Sequence, residues 1–293
     1  MKKIILILTA AALAAVSCKS PEQKVMARAV PERADDFVFE NNLIAGRFYG
    51  QALEGNPTSP GLDIWVKLPG KLVADEWYKG ALEDPGYYHH DHGGKDCYKV
   101  AVSLGGGASV PLIDGVMCYP ATNYRSYEIL EQSPDKVVFA LHYPEWEAAE
   151  GVLVSLDKKV SVVADSYFTS VEDSYSFSGA DSLTIAAGIK LHGAQETVVD
   201  SLEISDRYAI WEKASDQSIE PEDGMLGVAV VMPGANGLLV SHELDHALLL
   251  KTITSGENVA YSIGSCWSKG DIKTSEDWFE TVSATRCCGG CCK

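Results

Sequence analysis

The chain has 293 residues, 46% hydrophobic and 22% charged, with a formal net charge of −17. That composition is ordinary for a globular protein and leaves room for one large domain or two small ones. The charge, and the lack of any basic run, exclude a nucleic-acid binder, because phosphate recognition needs clustered Lys and Arg.

Lys2 and Lys3 precede an apolar run from Ile4 to Val16, and Ala15-Val16-Ser17-Cys18 follows. A basic start, a short apolar stretch and small residues before a cysteine describe a lipoprotein export signal over 1–17, with Cys18 as the lipidated first residue. The run is too short for a comfortable membrane span. Cleavage there removes two lysines and no acid, which makes the mature chain more acidic still. Residues 18–30 read as a tether, 31–286 as a single domain and 287–293 as a Cys-rich tail. The expected location is the outer membrane, on its periplasmic or cell-surface face, with the membrane touched only through the N-terminal lipid.

From Phe37 onward, short runs rich in Val, Ile, Tyr and Thr alternate with Gly, Pro, Asn and Asp punctuation. FVFENNLIAGRFYG reads as two strands. LDIWVK, YKVAVSL, RSYEILEQS, KVVFALHYP, GVLVSLD, KVSVVADSYF, SLTIAAGIKL, YAIWEKA, LGVAVVM, GLLVSHE, ALLLKTIT and VAYSIGSCW follow. More than ten such segments, with helix signals only near Lys71–Leu82 and Ser275–Ala284, predict an all-β fold: a large antiparallel β-sandwich with few short helices.

The densest polar cluster is GYYHHDHGGKDCYK, residues 86–99. Three imidazoles in four residues, beside acids and a lysine, suit general acid–base chemistry. His90 or His92 is the expected base, a tyrosine from 87–88 (Tyr88 foremost) the acid, and Lys95 or Arg125 the cation that neutralises a substrate carboxylate; Asp96 completes the set. No metal or other cofactor is expected, since neighbouring residues of an extended chain point to opposite faces. His242-Glu243-Leu244-Asp245-His246 matches H-E-x-x-H, which binds zinc only on a helix. Here it lies between two β-type runs, so a hairpin turn over Glu243–Asp245 is the better reading. His142 and His192 read as satisfied strand-end groups, and most tryptophans as packing. Gly105-Gly106-Gly107 lacks the lysine and helix of a phosphate cradle. Cys97, Cys118 and Cys266 read as small buried residues, and CCGGCC at 287–292 as an appendage.

PERADDFVFENNLIAGRFYG, GLDIWVK, DHGGKDCYKV and VAYSIGSCW with SKGDI, in this order, resemble a family of exported lipoproteins of no settled activity (a domain of unknown function). The family occurs in gram-negative bacteria that degrade polysaccharides. The resemblance implies a galactose-mutarotase-like supersandwich and an oligosaccharide or polysaccharide partner. It maps Asp91, His92, Gly93, Lys95, Asp96 and Tyr98 onto the family's loop motif, and Gly264, Trp267 and Lys269 onto its C-terminal motif. Asp91, Tyr98, Arg125, Trp267 and Lys269 are accordingly expected to bind substrate. The expected activity is lyase or epimerase chemistry on an acidic sugar; the competing reading is a non-catalytic glycan-binding lipoprotein of a polysaccharide-utilisation system.

Overall fold

The computed structural model describes residues 22–54, 61–192, 198–214, 222–288 and 291–292. Cys18 and the expected export signal lie outside them.

Three large antiparallel sheets make the fold, and residues 287–288 and 291–292 pair in a small two-stranded one. The first runs in chain order: β1 (Val25–Val30), β2 (Asp36–Asn41), β3 (Ala45–Phe48), β4 (Leu62–Lys67) and β5 (Gly94–Asp96). Helix α1 (Ala74–Glu83) and a 3-10 turn at Tyr87–His89 sit in the β4–β5 connection. Next come β6 (Ala108–Ile113), β7 (Val116–Met117), β8 (Ser126–Gln132), β9 (Lys136–Ala149), β10 (Val152–Val163), β11 (Phe168–Ser178) and β12 (Leu183–Lys190). The remaining strands are β13 (Val198–Ile204), β14 (Arg207–Lys213), β15 (Met225–Val231), β16 (Gly237–Ser241), β17 (His246–Ile253) and β18 (Asn258–Trp267), followed by α2 (Ser275–Ala284). An eight-stranded sheet has the order β13-β14-β15-β18-β11-β10-β9-β8, and a five-stranded one β16-β17-β12-β6-β7. One apolar core joins all three: Phe37 and Phe48 from the first sheet, Leu156 and Ile263 from the eight-stranded, Ile185 and Leu249 from the last. The protein is therefore an antiparallel β-sandwich with two α-helices among its described residues.

Alternation decides which side chains enter that core. On β10, Val154, Leu156, Lys158, Val160 and Val162 point inward, while Asp157 and Lys159 are exposed. The odd member, Lys158, is neutralised where it lies: its cross-strand partner is Asp173, whose carboxylate oxygens are 2.7 and 2.8 Å from Nζ. Tyr261 and Ser109 bind the same carboxylate. A buried charge of this kind is tolerated only with full pairing.

The glycine run serves close approach between sheets. Gly106 donates its amide to Leu62 O at 2.8 Å, and Gly107, at φ +150°, would set a Cβ 2.0 Å from Ile263 Cγ2. Cys97, Cys118 and Cys266 are buried and free.

Several expectations need correction. Residues 25–30, read as tether, form β1: the strand pairs with β2, Val25 and Ala27 enter the main core, and Val30 enters the cluster under α1 on the other face. YKVAVSL is no strand: Ala101 has φ +51° and breaks the ladder. GVLVSLD and KVSVVADSYF are not two separate strands: 152–163 form the one strand β10, whose pairing with β9 shifts register at Val152/Leu153 and at Val154/Leu156. The first helix runs to ten residues, held over the first sheet by Trp77 and Tyr78.

Candidate functional site

Strand β5 organises the candidate site. Gly94 allows its entry, with φ +155° and a would-be Cβ 2.3 Å from Val66 O. Beyond it, Lys95 and Asp96 leave the strand on opposite faces. Lys95 points inward, is fully buried, and donates to both oxygens of Asp223 at 2.9 Å. Trp267 Nε1 donates to Asp223 O at 2.6 Å. Tyr98, also buried, gives its hydroxyl proton to Lys190 O at 2.8 Å.

Asp96 points the other way, under α1. There Arg47 gathers three carboxylates: Asp63 at 2.7 Å, Asp96 at 3.1 Å and Asp36 at 3.6 Å. The register explains the meeting, since Arg47 is the cross-strand partner of Asp63, and Asp96 that of Trp65. Trp65, Tyr49 and Tyr88 surround the guanidinium, 5.1–5.7 Å from their ring centroids. Burial pushes the Asp36 carboxyl up to about 6 against the pull of Arg47 and Arg33. Burial and the neighbouring Asp63 charge push Asp96 well above the carboxylate range. Asp63 Oδ1, Asp96 Oδ1 and Arg47 Nη1 have no hydrogen-bond partner. The cluster is a buried structural charge knot, joined on its outer side by the partly exposed Arg33, which pairs with Asp36 at 2.9 Å.

The exposed groups form a rim above this floor. Asp91 Oδ1 accepts from the amides of Gly93 at 2.9 Å and Gly94 at 3.3 Å, and Oδ2 from Lys269 Nζ at 2.9 Å. Partial burial would raise the Asp91 pKa, but the Lys269 hydrogen bond and the two amides outweigh it and lower it. Lys269 also lies 4.8 Å over the Trp267 ring. His92 stacks flat on Tyr87, centroids 3.8 Å apart and planes within 7°. His90 and His92 are exposed, and His89 Nδ1 is 3.1 Å from Asp96 O. The imidazoles and phenol of this solvent-facing loop thus lie beside an ammonium from the segment after β18, which is the inventory acid–base chemistry requires.

The ten expected site residues therefore separate by depth. His90, Asp91, His92 and Lys269 are together on the rim. Tyr88, Lys95, Asp96, Tyr98 and Trp267 are buried beneath it and act, if at all, by positioning the rim; Tyr87 is the tyrosine of that pair within reach of solvent. Arg125 is elsewhere, in a groove beside β8, with both η nitrogens on Glu54. Sequence reasoning missed Asp223, which lies in no motif, and gave no role to Asp36 and Asp63, although they fall within the PERADDFVFENNLIAGRFYG and GLDIWVK segments that carry the resemblance. In the H-E-x-x-H segment, residues 242–245 are a turn and His246 opens β17, pairing with Ser241. His246 is buried, and its Nε2 accepts from Leu104 N at 3.0 Å. Nδ1 faces Leu244 O. Both nitrogens are used, and burial lowers its pKa. His142 pairs with Asp157 at 2.6 Å and His192 with Glu212 at 3.0 Å.

The profile of DUF4861, a domain of unknown function, matches residues 11–287. "Uncharacterized protein P7" of Formosa agariphila is 31% identical over 266 residues, which cover 86% of this chain and 64% of that protein; the chain thus spans just under two thirds of that relative. Among solved structures, a galactose mutarotase related enzyme from Lactobacillus acidophilus overlaps 78% of this chain and 97% of its own, at 9% identity and a TM-score of 0.32.

Proposed function

The chain belongs to the DUF4861 family, and on that premise we propose that it is an exported, lipid-anchored β-sandwich protein that acts on an acidic carbohydrate at the histidine loop. The observation that carries this reading is the Asp91–Lys269 pair, which draws two polar segments 178 residues apart onto one exposed rim. The neutral imidazole of His90 or His92 takes the proton α to a uronate carboxylate. Lys269 stands where the developing negative charge needs an ammonium, a role that buried Lys95 cannot fill. The Tyr87 phenol protonates the departing glycosidic oxygen in a β-elimination, or the proton returns to the opposite face in an epimerisation. Anchoring through Cys18 places this chemistry at the membrane surface.

The test is incubation with uronate polysaccharides, following enol-ether absorbance and product size. The pair His90→Ala/His92→Ala should abolish product while the unfolding midpoint stays put; unchanged turnover removes the proposal. The flat Tyr87–His92 stack favours a second reading, a glycan platform without turnover. Binding with no product, surviving the histidine replacements, would select it.

A further inference from the structure

Among the described residues, no strand pairs the outer edge of β1 or of β8. A groove of about 720 Å³ lies between those edges, inside the roughly 300–1,000 Å³ typical of ligand sites. Tyr124 OH, on its lining, donates to Asp35 O at 2.5 Å. Strand β1, which contributes Ala27, Arg28 and Ala29 to it, is about 17 Å long at ~3.3 Å per residue. No residue of the histidine loop or of the Lys269 segment lines it.

Its floor is apolar, from Ala27, Ala29 and Ile129. Tyr127 is 48% exposed and is backed by Phe37, 5.1 Å between ring centroids, so one ring is presented without side-chain freedom to lose. Arg28 is held by Glu32 at 2.8 Å and Asp75 at 2.7 Å. Gln51 donates to Arg125 O at 3.2 Å, and Arg125 is held by Glu54. Each arginine comes with acid, so the groove has no excess positive charge for a polyanion. Beside an aromatic face its lining offers Arg28, Gln51 and Arg125 as donors and Asp35 as an acceptor. Sugar hydroxyls, each donor and acceptor at once, match that pattern, and the C–H face of a pyranose matches the ring.

We propose that the β1–β8 groove is a carbohydrate-binding site separate from the histidine loop, taking a segment of a few neutral sugar rings. Tyr127 is the stacking platform, and Arg28, Gln51 and Arg125 read the hydroxyls. The proposal shares with the loop reading the expectation of a glycan but none of its residues, so the two fail separately. The test is calorimetric titration of the full chain with cellohexaose, xylohexaose, mannohexaose and laminarihexaose. At least one should bind in the micromolar to millimolar range, little affected by salt. Tyr127→Ala and Arg125→Met should each weaken it about tenfold, the loss of one stacking or hydrogen-bonding contact. His90→Ala/His92→Ala should leave it unchanged. Absence of binding to all four overturns the proposal, as does binding indifferent to the Tyr127 and Arg125 replacements. A concentration-dependent dimer abolished by those replacements, with no sugar bound, would instead assign the groove to a second copy of the chain.

Discussion

Replacing Lys95 by Met removes the ammonium of a fully enclosed pair and leaves the Asp223 carboxylate, itself 3% exposed, with its two 2.9 Å hydrogen bonds gone. Methionine keeps the length of the aliphatic stem, so cavity formation contributes little. The cost is then that of an uncompensated buried charge, about 3–5 kcal/mol. At ~2–3 °C per kcal/mol for a domain of this size, the midpoint of thermal unfolding should fall by roughly 6–15 °C. Asp223→Leu should cost a similar amount by stranding the lysine. The double replacement Lys95→Met/Asp223→Leu should be far less damaging than the two losses added together, since neither charge is then left alone. Urea titrations of the four proteins, with a common slope, provide the measurement. A Lys95→Met loss below about 1 kcal/mol, or strict additivity in the cycle, would refute the claim that this pair is desolvated and that it fixes β5 against the segment before β15.

Glu40 gives a pH dependence. Burial, opposed by Lys67 and by the amides at the start of α1, pushes its carboxyl up to about 7. Folding therefore takes up a proton, so stability falls as pH rises from the ordinary carboxylate range through about 7, by up to about 3 kcal/mol. Glu40→Gln should flatten the stability profile between pH 5 and 8, whatever its absolute effect; identical slopes would count against the assignment. His246→Leu should cost about 1–3 kcal/mol, because the Leu104 amide loses its acceptor in a buried site. Glu243→Gln, on the exposed turn beside it, should change neither stability nor any activity. Gly107→Ala should destabilise by more than about 2 kcal/mol in a melt, since the new Cβ meets Ile263 and the backbone conformation disfavours an L side chain.

The β-sandwich was legible in the sequence because strand signals are local. Alternation and turn residues mark β4, β8, β12 and β14–β18 within a few residues, and Thr274 before Ser-Glu-Asp marks the start of α2 with its own cap, accepting from Asp277 N. The histidine loop stood out for the same reason, as a dense run of titratable residues. What the pattern left undecided was depth. Lys95 and Asp96 look alike as polar neighbours, yet a period of two sends one to Asp223 and the other to Arg47. Those partners come from strands and turns brought together only by the sheets, and no spacing in the chain encodes the distance between them. Residues 25–30 show the reverse case: a mixed polar stretch becomes an edge strand because β2 offers it a ladder and an apolar face. Sequence determined that strands form and where chemistry is concentrated; tertiary packing alone decided which charges are walled in, since burial is a property of neighbours rather than of the residue.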